Sequence, residues 1–185
     1  NALDAALWDL EAKLTGVPVW TQLARPPHEP IVTALTVSLD TPEAMQQAAS
    51  KIVDAKLVKI KVDADDPGAR IEAVRRAAPK SRLIVDPNES WTLDILGELM
   101  PTLQRVGVDL IEQPLPALAD SDLLGFASRI PICADESCHT SADLPRLLEC
   151  YQAINIKLDK TGGLTEAWRL LRAARESGFR IMVGC

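Results

Sequence analysis

The sequence predicts an α/β fold, a (β/α)8-type barrel with strands 1–7 present, on three observations. After Pro30, short apolar runs alternate strictly with helical stretches, and parallel strands need such a crossover of a dozen or more residues between them. Six polar residues, Lys59, Lys61, Asp86, Glu112, Asp135 and Lys157, each close an apolar run, and from Lys61 onward they are spaced by 25, 26, 23 and 22 residues. That spacing matches one strand, one helix and their connections. Polar and apolar residues also alternate inside the strands. Lys59 and Lys61 share one face of Val58–Val62, and Ile154, Ile156 and Leu158 share one face of the run that contains Lys157. With helices covering the apolar face, the polar faces point into a common lumen.

The elements follow in order. Leu3, Leu7, Leu10 and Leu14 recur at helical spacing, and Gly16 and Pro18 stop that helix. A turn-rich stretch, Arg25–Pro30, follows. Strands are expected at Ile31–Leu39, Leu57–Val62, Arg82–Asp86, Val108–Glu112, Pro131–Asp135, Ala153–Leu158 and Arg180–Gly184. Helices are expected at Pro42–Ala55, Gly68–Ala78, Leu93–Arg105, Ser121–Ser128, Ser141–Leu148 and Leu164–Ser177. Thr41-Pro42-Glu43 and Ser141-Ala142-Asp143 carry the short polar side chains that cap a first turn. Strict alternation means a parallel sheet. An open doubly wound sheet is the alternative, and the regular period favours the barrel.

At 185 residues the chain is shorter than the roughly 250 of a complete barrel of this type. The opening Asn1, and a Cys185 that directly follows an apolar run, read as a piece cut at both ends. A net charge of -6 with 25% charged residues argues against nucleic acid, because no basic face meets phosphates. No apolar stretch approaches the ~18 residues of a membrane span, and no signal peptide is visible. Cys133, Cys138, Cys150 and Cys185 show neither CxxC pairing nor zinc-like spacing, so free thiols in a reducing cytoplasm are expected. A homo-oligomer is compatible with all of this.

Asp86, Glu112 and Asp135 would close the third, fourth and fifth strands. At the C-terminal mouth of such a barrel, where active sites lie, three anions repel unless a cation sits between them. All-oxygen ligation suits Mg²⁺, with Mn²⁺ as a substitute. Lys59 and Lys61 are about 6.6 Å apart along a strand, and their repulsion of roughly 2.5 kcal/mol would lower one lysine toward the range of a general base. Lys157 lies across the lumen. Two lysines on opposite sides of a metal-bound substrate would move a proton to or from either face of one carbon, through a metal-stabilised enediolate. Asp159 is expected either to hold Lys157 charged or to cap a helix. Asn88 and Glu136 are candidates for orienting ligands.

These residues stand in motifs. Leu57-Val58-Lys59-Ile60-Lys61, Val85-Asp86-Pro87-Asn88, Ile111-Glu112-Gln113-Pro114, Ala134-Asp135-Glu136-Ser137 and Asn155–Gly163 together resemble the muconate-lactonizing subgroup of the enolase superfamily. Within it the chain looks most like dipeptide epimerases of the L-Ala-D/L-Glu type. The resemblance implies Mg²⁺ on Asp86, Glu112 and Asp135, opposed acid/bases at Lys61 and Lys157, and Lys59 assisting Lys61. It also implies a dipeptide substrate inverted at the α-carbon of its C-terminal residue, and a cytoplasmic role in recycling cell-wall peptides. Residues 1–24 would join a capping domain to a partial barrel at 31–185. That capping domain and the eighth strand, with its substrate-gripping Asp-x-Asp, are expected beyond this chain. Other readings are an o-succinylbenzoate synthase, a cycloisomerase, an N-acylamino acid racemase, an inactive barrel remnant or a structural metal-binding protein.

Overall fold

The computed structural model describes residues 1–23 and 30–184. The turn-rich stretch before Pro30, with His28, and the terminal Cys185 lie outside the described residues. Seven strands are described: β1 (Leu35–Val37), β2 (Leu57–Lys61), β3 (Arg82–Asp86), β4 (Val108–Glu112), β5 (Ile132–Ala134), β6 (Ala153–Ile156) and β7 (Arg180–Val183). They form one sheet in chain order, each pair parallel. A doubly wound sheet would reverse its order at a switch point. The unbroken order is that of a barrel wall, open among the described residues between β1 and β7.

Helices α1 (Ala2–Thr15) and α2 (Val19–Gln22) precede β1, and α3 (Pro42–Ser50), α4 (Pro67–Ala77), α5 (Leu93–Arg105), α6 (Leu144–Leu147), α7 (Leu158–Thr161) and α8 (Leu164–Glu176) lie in the connections between strands. Side chains of Thr41, Asp66 and Thr92 cap α3, α4 and α5 by accepting from Ala44 N, Ala69 N and Ile95 N, each at 3.3 Å. Val58, Ile60, Leu83, Val85, Ile111 and Ile154 of the sheet form one buried cluster with Ile71, Val74, Leu96, Leu103 and Leu170 of the helices. This packing holds the strand ends in fixed register. No helix among the described residues is long and apolar enough to cross a membrane.

Most elements end within one residue of their sequence-based bounds. The strand expected at Ala153–Leu158 stops at Ile156, with Leu158 opening the short helix α7, and four further elements differ. β1 is a strand only where Val58, Lys59 and Ile60 of β2 offer ladder partners; Ile31 and Val32 before it stay exposed. α3 ends at Ser50, where the chain tightens into three-residue turns, Lys51 N to Ala48 O and Ile52 N to Ala49 O. The helix expected at Ser121–Ser128 is instead a 3₁₀ segment, Ala117–Leu123, kinked at Ala119. It folds around the buried Asp120 carboxylate rather than along an apolar stripe. The stretch from Ser141 splits into a 3₁₀ turn, Ser141–Asp143, and α6. Thr140, not Ser141, is the N-cap, in a capping box whose Asp143 side chain accepts from Thr140 N at 2.8 Å, while Ser141 N and Oγ bond Glu166 on α8.

α1 docks on α8 through polar contacts. α8 begins after Gly163, which has no side chain with which to cap it. Asp4 of α1 supplies that cap, with Oδ2 accepting from Thr165 N at 3.1 Å and Oδ1 from Thr165 Oγ1. Trp8 Nε1 donates to Thr165 Oγ1 at 3.0 Å. The hydrogen bonds from Thr165 hold the Asp4 carboxyl below its ordinary pKa. Leu3, Leu7, Leu10 and Leu14 all remain exposed.

Candidate active site

The polar residues at the strand ends meet on one side of the sheet. Lys61 pairs in register with Asp86, the last residue of β3. Glu112 ends β4, Asp135 directly follows β5 and Lys157 directly follows β6. Asp86 and Glu112 are 0% exposed and Asp135 is 1% exposed. Buried carboxylates require counter-charges, and lysines provide them. Lys59 Nζ bridges Asp86 Oδ2 at 2.8 Å and Glu112 Oε2 at 2.6 Å. Lys61 Nζ lies 2.6 Å from Asp86 Oδ2, and Lys157 Nζ lies 2.5 Å from Asp135 Oδ2.

At Lys59 the expected lowering by Lys59–Lys61 repulsion does not occur, because the lysine is paired with two acids. Burial does pull Lys59 down, but Glu112 and Asp86 outweigh it and hold its pKa above the ordinary value. Lys157 is also raised, because the hydrogen bond and charge of Asp135 outweigh burial. Burial, with Asp86 adding repulsion, raises Glu112 despite Lys59. Asp135 stays below its ordinary value because Lys157 and Lys160 outweigh burial. At Lys59, contact attraction at under 3 Å exceeds the repulsion from an ammonium group a strand repeat away.

Asn88 and Glu136 join this cluster. Asn88 Oδ1 accepts from Lys61 Nζ at 2.5 Å, its backbone N donates to Asp86 Oδ1 at 3.0 Å, and Nδ2 donates to Glu136 Oε1 at 3.1 Å. Asp159 does not hold Lys157: it lies exposed in the first turn of α7, and Lys157 turns to Asp135 instead.

Two further residues belong to the cluster. Lys160 Nζ holds Asp135 Oδ1 at 2.6 Å and the carbonyls of Asp135 and Asn155. Asn155 Nδ2 donates to Glu112 Oε1 at 2.8 Å. Asn155 could have been found from strand alternation, two residues before Lys157. Lys160 could not, because its direction depends on the short helix α7, which the strand pattern conceals.

Among the described residues no three His, Cys, Asp or Glu side chains converge tightly enough to enclose an ion as they stand, because each acid is turned onto an ammonium. The donor set still fits a hard divalent cation. It is all oxygen, comes from three adjacent strand ends, and includes Glu112 Oε2, buried and without a hydrogen bond beyond its ion pair with Lys59.

Gly184, just past β7, leaves room for this cluster. A Cβ there would stand 2.7 Å from Asn155 Oδ1, 2.9 Å from Asn155 Nδ2 and 3.1 Å from Lys157 Cε. Asn155 is fully buried and cannot swing away cheaply. Gly184→Ala is expected to displace it from Glu112 and crowd Lys157, lowering stability by about 1–3 kcal/mol. Denaturant melts check this, and an unchanged midpoint would refute it.

Residues 43–185 match the family model described as enolase C-terminal domain-like. The chain belongs to that family. Enolase-like relatives at high identity include N-acetyl-D-glutamate racemase of a Pseudoalteromonas species, 51% identical over 100% of this chain and 58% of the relative. Another is L-Ala-D/L-Glu epimerase of Escherichia coli, 46% identical over 100% of this chain and 58% of the relative. The chain therefore spans little more than half the length of these relatives. An enolase family member from Agrobacterium tumefaciens with homology to dipeptide epimerases, bound to sodium and L-Ala-L-Glu, superposes with TM-score 0.96 at 47% identity, covering 100% of this chain and 57% of that one. A dipeptide epimerase from Cytophaga hutchinsonii, complexed with Mg and D-Ala-L-Val, superposes with TM-score 0.91 at 32% identity, covering 97% of this chain and 51% of that one.

Proposed function

We propose that the full-length protein carrying this chain is a Mg²⁺-dependent epimerase that moves a proton at the α-carbon of an N-acylated amino acid. The leading substrate is a dipeptide of the L-Ala-D/L-Glu type. The observation that carries the reading is the placement of Lys61 and Lys157 at β2 and β6, flanking three buried acids on the strand ends between them. Asp86, Glu112 and Asp135 would hold the cation, which when bound supplies positive charge to the substrate carboxylate and so acidifies the neighbouring C–H. With Asp86 and Asp135 turned from the lysines onto a cation, the pairing that holds the ammonium groups would be released. One lysine, neutral, would then take the α-proton from its face, and the other, protonated, return one to the opposite face. The configuration inverts, and the two lysines exchange roles in the reverse direction. Lys59 stays charged between Asp86 and Glu112 and keeps those buried acids compensated beside Lys61. Asn88 holds Lys61 in place and links it to Glu136. Residues 1–24 serve in this reading as the helix joining the barrel at 31–185 to a capping domain, which fits the uncovered leucines of α1.

The 51% identity to an N-acetyl-D-glutamate racemase supports a second reading, in which the acyl group is acetyl rather than alanyl. Both share the same proton transfer. Incubating the full-length protein with Mg²⁺ in D₂O, separately with L-Ala-L-Glu, L-Ala-D-Glu and N-acetyl-D-glutamate, distinguishes them by NMR of the α-proton. Exchange and inversion of both dipeptide epimers at the higher kcat/KM is the expected result. A preference for N-acetylglutamate selects the second reading, and no exchange with any of the three rejects both.

A further inference from the structure

One buried side chain outside the acids and lysines ties two of the acid-bearing strand ends together. Gln113 directly follows Glu112, is 0% exposed, and adopts φ 37, a left-handed conformation uncommon for a residue with a side chain. Its carboxamide uses both ends. Oε1 accepts from the backbone N–H of Asp135 at 2.8 Å and of Ser137 at 3.2 Å. Nε2 lies within donating distance of Leu115 O at 2.8 Å, Ser137 Oγ at 2.9 Å and Tyr151 Oη at 3.0 Å. The hydroxyls of Ser137 and Tyr151 both donate to Asp120, which Arg146 also holds at 2.6 Å.

The last β4–β5 ladder pair is Glu112 with Cys133. Asp135 lies two residues beyond it and one beyond the last β5–β6 pair, Ala134 with Ile154. Its carbonyl accepts from Cys138 N at 3.0 Å and from Lys160 Nζ, and the Gln113 carboxamide takes its N–H and so spans the gap to β4.

We propose that Gln113 is a positioning residue that sets the main chain of Asp135 relative to Glu112, so that the two carboxylates can share one cation. This rests on the reading above that both acids are ligands. Gln113 carries no charge, so its removal changes geometry without altering the electrostatic attraction for a cation.

The test uses the full-length protein with Gln113→Leu, Gln113→Asn (which keeps the polar amide but is one methylene short) and Tyr151→Phe. Mg²⁺ affinity is measured by calorimetry without substrate, alongside melting temperature, kcat and KM. Both Gln113 variants are expected to bind Mg²⁺ at least tenfold more weakly, with a matching fall in kcat at sub-saturating Mg²⁺. Tyr151→Phe, which removes the bond to Asp120 and one of three acceptors of Nε2 but leaves the Oε1 bonds to Asp135 and Ser137 in place, is expected to lower the melting temperature while Mg²⁺ affinity stays within twofold. Folded Gln113 variants with unchanged Mg²⁺ affinity would overturn the proposal. So would equal weakening by Tyr151→Phe, which would mark a general loosening. Failure of the unsubstituted protein to bind Mg²⁺ would reject the metal reading itself, and this inference with it. Should Gln113→Leu fail to fold, Gln113→Asn alone decides.

Discussion

Lys157→Ala in the full-length protein is expected to abolish inversion while sparing α-proton exchange for one of the two epimers. Lys157 approaches from the end of β6 and Lys61 from β2, with β3, β4 and β5 between them. In the proposed chemistry each lysine serves one face of the α-carbon, so the remaining Lys61 can still wash deuterium into the epimer whose proton points toward it. For the other epimer the loss is about 10²–10⁴-fold, the range for removal of a positioned acid or base. Lys61→Ala should give the mirror pattern. Mass spectra and chiral separation of substrate recovered from D₂O read both quantities. Equal exchange of both epimers by either variant would remove the two-base account.

The second large effect is on stability. Asp135 is 1% exposed and takes Lys157 on Oδ2 and Lys160 on Oδ1. Asp135→Ala leaves two largely buried ammonium groups without their carboxylate, which is expected to cost about 3–5 kcal/mol. Denaturant midpoints of wild type and variant at pH 7 measure this, and a difference below ~1 kcal/mol would contradict the pairing. The pH dependence has a definite sign. Asp135 is held below its ordinary value of 3.8 in the folded protein, so its contribution is present above that value and is lost as pH falls through the lower folded pKa. The gap between wild type and Asp135→Asn should therefore close on acidification. At pH 7 Asp135→Asn is expected to lie between wild type and alanine, since the amide keeps volume and an acceptor but not the charge.

The fold was legible because two periodicities survive in one dimension. Alternation by two along Val58–Lys61 tells which side chains share a face of a strand, and the spacing of about 25 residues reports one crossover after another. Both are local properties of a parallel sheet covered by helices, so no tertiary information is needed to read them. β1 was longer in the sequence than in the structure because strand character requires a neighbour, and only Leu35–Val37 has one on β2. The 3₁₀ segment at Ala117–Leu123 was misread because its organiser, Asp120, bonds to Tyr151, Ser137 and Arg146, residues 17 to 31 positions later.

The amino-acid order by itself determined the parallel α/β architecture and put Lys59, Lys61, Asp86, Glu112, Asp135 and Lys157 at neighbouring strand ends, because strand period and crossover length are set by backbone geometry alone. Only the tertiary structure decided how their charges balance: Lys59 bridges Asp86 and Glu112, Lys157 faces Asp135 rather than Asp159, and Lys160 and Gln113 hold Asp135. Ion pairing depends on separations of a few ångströms between side chains far apart in the chain, and no one-dimensional period encodes those distances.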